Sequence, residues 1–353
     1  MFNAILSACP GQAQPTPAAA SADGAAADAE GSHFPPSLLY TASRLYYEDD
    51  ATQAEVAEQL GTSRATVSRL LAEAKRLGIV RIQVVLPAEA RPTELADRLA
   101  RALNLHTVYV SAPLPAPGPG RTVIDVMGRA LAPVTGRALS EAGLLPGDVL
   151  LVSSGRTVYE VAQHELTPLP GVVVAPTVGG NDQPYEWYQT NEITRLVANR
   201  VGGRANYLFA PALPGPGLYG SLLDDPSIQR VIHQWPHARC VLMGVGAPPL
   251  TRSDVPQFVP AASSSLRPAV GDVCSRFYDR NGEPVDFDGA DRLIALELDL
   301  LRHIPVTIAV AVGRDKIDSI TAGARGGYFN RLVTDPATAE ALLNEIDSTK
   351  EGS

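Results

Sequence analysis

The sequence predicts an α/β protein in two parts, a small helix-turn-helix module followed by a larger doubly wound domain whose parallel strands are covered by helices on both faces. Three observations lead there. Two short, capped helical patterns lie between Thr52 and Gly78 with Gly61 between them. From His106 onward, short apolar runs alternate with helical stretches. A chain of 353 residues, 45% of them hydrophobic, holds material for more than one packed core.

The chain opens with a segment rich in Ala, Pro, Gly and Ser that carries few large apolar side chains, so residues 1–34 are expected to form a disordered extension. Residues 35–88 read as the helix-turn-helix module. Leu38, Leu39, Ala42, Leu45 and Tyr46 fall on one stripe of a helix beginning near Pro36 and ending at Glu48-Asp49-Asp50. Thr52-Gln53-Ala54-Glu55 is a capping box, opening a helix that buries Val56 and Leu60 and closes at Gly61. Ser63 caps the next helix, whose apolar Val67, Leu70, Leu71 and Ala74 recur at helical spacing until Gly78 supplies a left-handed stop. The branched run from Ile79 to Leu86 reads as a strand, a wing or a sheet edge.

Residues 89–105 are expected to form a linker helix, with Pro92 in its first turn and Leu95, Leu99 and Leu103 four apart. Residues 106–348 are expected to form the doubly wound domain. Its candidate strands are Thr107–Val110, Val149–Ser153, Gly171–Ala175, Tyr207–Phe209, Cys240–Val245, Leu293–Leu296 and Val306–Val312.

Charge and cysteine usage narrow the function classes. The net charge is -9, yet the stretch from Gly61 to Val85 carries an excess of four positive charges. On its second helix the exposed face offers Arg64, Ser68 and Arg69 at the N-terminal half, the half that approaches base edges when such a helix lies in a major groove. Ser63, Arg64, Thr66, Ser68 and Arg69 are therefore the candidate contacts to double-stranded operator DNA. Arg64 and Arg69 suit guanine edges or phosphates; Thr66 and Ser68 suit phosphates or a thymine methyl. A helical hairpin serving dimer contacts is the competing reading, and the basic balance together with the following strand favours DNA.

The three cysteines, Cys9, Cys240 and Cys274, are odd in number and far apart, so neither a disulfide framework nor a metal site is expected, and no cofactor is predicted. No apolar run is long enough to span a bilayer and the start lacks the pattern of a secretory signal, so the expected compartment is the cytoplasm, without membrane attachment.

Ligands of open α/β sheets sit beyond the carboxyl ends of the strands. The best candidate turn is Ser153-Ser154-Gly155-Arg156-Thr157, where Ser154 and Thr157 offer hydroxyls, Gly155 lets a backbone approach an oxyanion and Arg156 adds a charged fork. A tight strand-to-helix turn also favours Ser and Gly for purely local reasons. A second strand end opens into Gly179-Gly180-Asn181, and a third places Lys316 just after Gly313, where it is either a ligand contact or a solvated helix residue. Asp272 and Arg276, four apart, suit hydroxyls and phosphate, or pair with each other. Separate strand ends on one edge can share a pocket, and together these carry the donors and cations that a sugar phosphate needs.

From about Leu38 to Leu343 the sequence resembles the SorC family of sugar-binding transcriptional regulators, with a DeoR-like effector domain. The resemblance rests on Ala42-Ser43-Arg44-Leu45-Tyr46-Tyr47, Thr52 to Ala57 and Ser63 to Leu71 in the module. In the larger domain it rests on Ser153 to Thr157, Gly179-Gly180, Asn191, Gly271-Asp272, Arg276-Phe277, Gly313 with Lys316 and Arg325-Gly326-Gly327. It implies a domain related to sugar-phosphate isomerases and deaminases that binds a phosphorylated sugar as inducer or corepressor, in a homodimer or homotetramer. It also implies a phosphate-binding turn at Ser154, Gly155, Arg156 and Thr157, with Lys316 as a further contact; Gly180, Asn181, Asn191, Asp272 and Arg276 complete the ten candidate effector contacts.

The competing class is an isomerase- or deaminase-like enzyme, because fold does not settle function. In those deaminases the strand ending in Gly-x-Gly continues into Asp-Gly-His, the groups that move protons. Here Gly244-Val245-Gly246 runs into Ala247-Pro248-Pro249, so no catalytic residue is expected. A DNA-binding scaffold with a ligand-blind second domain is the third reading; it predicts no response to small molecules.

Overall fold

The computed structural model describes residues 34–80, 93–118, 122–252, 255–259 and 264–351. The chain divides between Pro87 and Ala88 into two compact units. Of the expected extension, all but Phe34 lies outside the described residues, as do Cys9, Pro92 and positions 81–86 of the expected strand; Ile79 and Val80 form a bend.

The first unit contains α1 (Pro36–Tyr47), α2 (Gln53–Gln59) and α3 (Arg64–Arg76). The capping box forms as read: the Glu55 amide donates to the Thr52 hydroxyl at 3.3 Å and the Thr52 amide donates to the Glu55 carboxylate at 2.8 Å. Those bonds hold the Glu55 carboxyl below the ordinary glutamate range. Ser63 accepts the Thr66 amide at 3.1 Å and so starts α3. Leu39, Val56, Val67 and Leu70 are fully buried together, each contributing about 1.5–3 kcal/mol. Gly78 leaves α3 at φ 73°, a conformation that only glycine adopts without strain.

The second unit begins with α4 (Thr93–Leu103), which packs on β1 (Thr107–Val110) and on α12 (Pro336–Glu351) through buried Leu99 and Leu103. The helix read from sequence as a linker is thus part of this unit's own core. Between β1 and α12 the chain runs through α5 (Ile124–Ser140), β2 (Val149–Val152), α6 (Arg156–Ala162), β3 (Val173–Pro176), α7 (Thr190–Val201), β4 (Arg204–Ala205), α8 (Pro216–Asp224), α9 (Pro226–Ile232) and β5 (Cys240–Gly244). It continues through β6 (Ala269–Val273), β7 (Arg276–Asp279), β8 (Pro284–Val285), α10 (Leu298–Leu301), β9 (Val306–Val310), α11 (Ile317–Arg325) and β10 (Arg331–Thr334).

Among the described residues seven strands form one parallel sheet in the order β1-β10-β9-β5-β2-β3-β4. Its alternating side chains bury two separate cores: Val241 and Met243 of β5 join one, Cys240 and Leu242 the other. This is the doubly wound arrangement expected. From β2 the chain proceeds to β3 and β4 on one side, then returns to β5 on the other, so the switch point lies between β2 and β5.

Besides β10, which was not among the candidate strands, three features differ from the sequence reading. Tyr207–Phe209 is not a strand; the edge is instead the two-residue β4. Leu293–Leu296 contributes only an isolated bridge from Ala295 to Val178. A three-stranded antiparallel sheet, β6-β7-β8, was not anticipated. Its β6-β7 turn places Cys274 and Ser275 at φ 51° and 64°, the left-handed pair that a two-residue hairpin requires and that Asn-Gly usually supplies.

Candidate functional site

A cavity of about 390 Å³ opens beyond the carboxyl ends of β2, β5 and β9, at the switch point. Four pieces of chain build it.

The first piece is the turn after β2. Buried Ser153 accepts the Gly244 amide at 3.2 Å, tying the ends of β2 and β5 together. Ser154, Gly155, Arg156 and Thr157 then line the cavity. Gly155 sits at φ 128°, outside the range of L side chains, which is why glycine stands there. Its amide is taken by the Trp187 carbonyl at 2.9 Å. The Arg156 guanidinium lies over the Trp187 ring, 4.7 Å from its centroid.

The second piece follows β9. Gly313, at φ 116°, turns the chain so that Lys316 comes back over the first piece, its Nζ 3.5 Å from the Thr157 hydroxyl. The sequence offered Lys316 either as a ligand contact or as a solvated residue; it lies on the cavity wall.

The third piece follows β5. Gly246 leaves room for an ion pair between Arg252 and Asp272, whose atoms meet at 2.6 Å with each side chain 13% exposed. A Cβ on Gly246 would stand 1.9 Å from the Arg252 guanidinium and 2.0 Å from the Asp272 carboxylate. The pair gives that end of the cavity both donors and an acceptor.

The fourth piece is the strained β6-β7 turn, from which Cys274 and Ser275 face the cavity. Burial pushes the Cys274 thiol up to about 12, so it stays a protonated, unreactive wall. Among the described residues no group of His, Cys, Asp and Glu is placed to hold a metal ion.

Of the ten residues read as effector contacts, Ser154, Gly155, Arg156, Thr157, Asp272 and Lys316 come together here. The other four do not line this cavity. Gly180 exchanges backbone bonds of 2.7 Å with Ala210 and Ala212, and Asn181 closes a local turn onto Gln183. Asn191 holds Leu208 by both backbone groups, at 3.0 and 3.1 Å. Arg276 does not pair with Asp272, which has Arg252; it donates to the carbonyls of Ala290 and Leu293 at 3.1 Å each and to the Glu297 carboxylate. Trp187, Arg252 and Ser275 were not singled out in the sequence, and Gly246 was noted only as the end of a Gly-x-Gly strand and not as a site residue. Arg252 and Gly246 belong to loops without an anion motif, and only proximity in the fold reveals them.

On the first unit, Ser63, Arg64, Ser68 and Arg69 are exposed along α3 and its cap, and Thr66 is half-buried. Ser63 and Thr66 share a hydroxyl contact of 2.9 Å that belongs to the cap. Arg76 is held by the Glu73 carboxylate through bonds of 2.8 and 2.6 Å, whereas Arg64 and Arg69 make no hydrogen bond or ion pair among the described residues. Two uncommitted guanidinium groups thus stand on the N-terminal half of α3. No helix among the described residues is long and apolar enough to cross a membrane.

Comparison with known proteins gives the same two-part picture. Residues 88–344 match the family described as "Putative sugar-binding domain", and residues 44–76 match "Sigma-70, region 4", a helix-turn-helix region. The chain is 29% identical over 317 residues to the sorbitol operon regulator of Klebsiella pneumoniae, covering 87% of this chain and 97% of that one. It is 31% identical over 319 residues to the deoxyribonucleoside regulator of Bacillus subtilis, covering 88% and 98%. The crystal structure of the full-length sorbitol operon regulator SorC from Klebsiella pneumoniae superposes with a TM-score of 0.62 at 28% identity, covering 87% of this chain and 98% of that one. These relatives are regulators by name, and this chain is a regulator and not an enzyme. With a helix-turn-helix at its start, a doubly wound domain behind it and relatives matched over nearly their full length, the chain belongs to the SorC family of sugar-binding transcriptional regulators.

Proposed function

We propose that the cavity binds a phosphorylated sugar and that its occupancy sets the affinity of α3 for an operator. The observation that carries this reading is the asymmetry of the cavity. Lys316 stands beside the Thr157 hydroxyl and the adjacent Arg156 lines the same cavity over the Trp187 ring, a setting for a phosphoryl group, while the Arg252–Asp272 pair suits sugar hydroxyls. Because Arg252 is neutralised by Asp272, the reading favours one phosphoryl group per ligand. A volume of about 390 Å³ lies within the range of small-molecule sites.

On the DNA side, Arg64 and Arg69 are the base- or phosphate-reading groups, with Ser63, Thr66 and Ser68 as supporting contacts. One helix-turn-helix reads one half-site, so the regulator acts as a homodimer or homotetramer on a repeated operator in the cytoplasm. The functional division is 35–88 for DNA and 106–348 for the effector. Ligand binding shifts operator affinity by the ligand's differential affinity for the two DNA-binding states.

The test is fluorescence anisotropy with the DNA upstream of the chain's own gene, repeated with phosphorylated sugars and their unphosphorylated forms at several salt concentrations. One phosphorylated sugar is expected to change operator affinity by about 5- to 150-fold, and its unphosphorylated form to leave it unchanged. Specific DNA binding that no phosphorylated sugar alters rejects the proposal.

A further inference from the structure

We propose that Trp187 is a specificity-determining residue of the cavity, its indole N–H donating to an oxygen of the bound anion and thereby making the turn around it the part of the domain that registers occupancy. The proposal rests on the reading of this cavity as an anion site.

Trp187 lines the cavity. Its Nε1 is buried and has no hydrogen-bond partner among the described residues. An indole nitrogen is a donor only, and a buried one nearly always finds an acceptor. The chain's other tryptophan obeys that rule: Trp235 donates to the Pro176 carbonyl at 2.9 Å. The Trp187 ring is already stacked, parallel to Tyr185 within 8° at 4.8 Å and beneath the Arg156 guanidinium at 4.7 Å. What it has left to offer a ligand is its N–H edge, beside the cation that an anion would seek.

The same residue is wired to the turn. Its carbonyl accepts the Gly155 amide at 2.9 Å, so the backbone between Ser154 and Thr157 cannot shift without it. Next to it, the Glu186 carboxylate accepts the Tyr159 hydroxyl from α6, and burial together with that bond pushes the tyrosine up to about 12. Tyr185 to Tyr188 leads directly into α7 at Thr190. An anion that takes the Arg156 guanidinium and the Trp187 N–H together therefore pulls on α6 and α7 at once.

The experiment is ¹H–¹⁵N spectroscopy of the indole groups in the full chain, titrated with inorganic phosphate, glucose 6-phosphate, fructose 6-phosphate and ribose 5-phosphate, with calorimetry of the same mixtures. With only two tryptophans in the chain, the spectrum is simple. The Trp187 resonance is expected to move downfield saturably, with the Trp235 resonance as a fixed reference. Trp187→Phe, which keeps the ring and loses the N–H, is expected to lower affinity about tenfold. An unmoved Trp187 resonance at calorimetric saturation overturns the proposal while leaving the anion site standing, as does wild-type affinity in the Phe variant. Absence of binding by every probe overturns both. The resonance in the native chain decides the matter even where the variant misfolds.

Discussion

Arg252 and Asp272 meet at 2.6 Å through the space that a side chain on Gly246 would fill. The ion pair, most of it out of solvent, exists because one residue has no Cβ. Gly246→Ala is expected to force the pair apart and to lower effector affinity at least about tenfold, with a fall in melting temperature; calorimetry and thermal unfolding check both. Asp272→Asn removes the carboxylate that Arg252 holds and is expected to cost about 3 kcal/mol of unfolding free energy in denaturant titration.

Arg64→Ala and Arg69→Ala are each expected to weaken operator binding by about 1–3 kcal/mol without changing effector affinity. The two roles separate by salt. Loss of a phosphate contact lowers the slope of log affinity against log salt by about 1, whereas loss of a base contact relaxes sequence preference with little change in slope.

Lys316→Met keeps the length of the side chain and removes its charge from beside the Thr157 hydroxyl. Affinity for the phosphorylated effector is expected to fall about tenfold or more, while affinity for its unphosphorylated form, measured at high concentration, stays within about twofold. Equal losses for both forms would mean that the lysine shapes the cavity and does not hold the phosphoryl group.

His164 gives the second unit an acid sensitivity. Burial first, and then the charges of Arg200 and Arg129, hold its imidazole below the ordinary 6.5. A histidine whose folded value is depressed favours the neutral form in the native state, so its stabilising effect is complete above 6.5 and is lost as pH falls through the folded value. Unfolding midpoints are expected to drop as pH falls below 6.5, and to drop less in His164→Gln.

Thr52→Ala removes one half of the capping box and is expected to cost the first unit about 1 kcal/mol. Because Glu55 is held below its ordinary range, the cap's charge-dependent part is present at neutral pH and is lost as pH falls through the lowered value. Helicity of the module followed by circular dichroism in acid reads that loss.

The first unit was almost wholly legible because its signals are local. Thr52 and Glu55 are three residues apart, Ser63 caps the next amides, and Val67, Leu70, Leu71 and Ala74 point the same way on one helix. The turn after β2 was legible as a piece of cavity wall for the same reason, since Ser154 to Thr157 are contiguous. What escaped was whatever depends on long-range placement. Asp272 has Arg252 as its partner and not Arg276, four residues away, because β6 and β7 form a hairpin instead of a helix on which such a spacing would face. β10 is a four-residue run opened by an arginine, and the β6-β7 hairpin turns on Cys274-Ser275 with no Asn-Gly to announce it, whereas Asn281-Gly282 between β7 and β8 was a hairpin signal that the sequence reading passed over. Asn191 looked like a ligand group, but its amide mimics a backbone partner for Leu208.

The strand order sets a timetable for synthesis. Tyr109 of β1 and Arg331 of β10 touch although 222 positions separate them, so the sheet's outer edge stays open until nearly the whole chain has left the ribosome. The core of the first unit, from Leu39 to Ala74, is complete long before. A nascent or truncated chain can thus carry a finished helix-turn-helix core while the second unit's sheet is still open, and a nonsense mutation late in the gene is expected to spare the first unit and unmake the second.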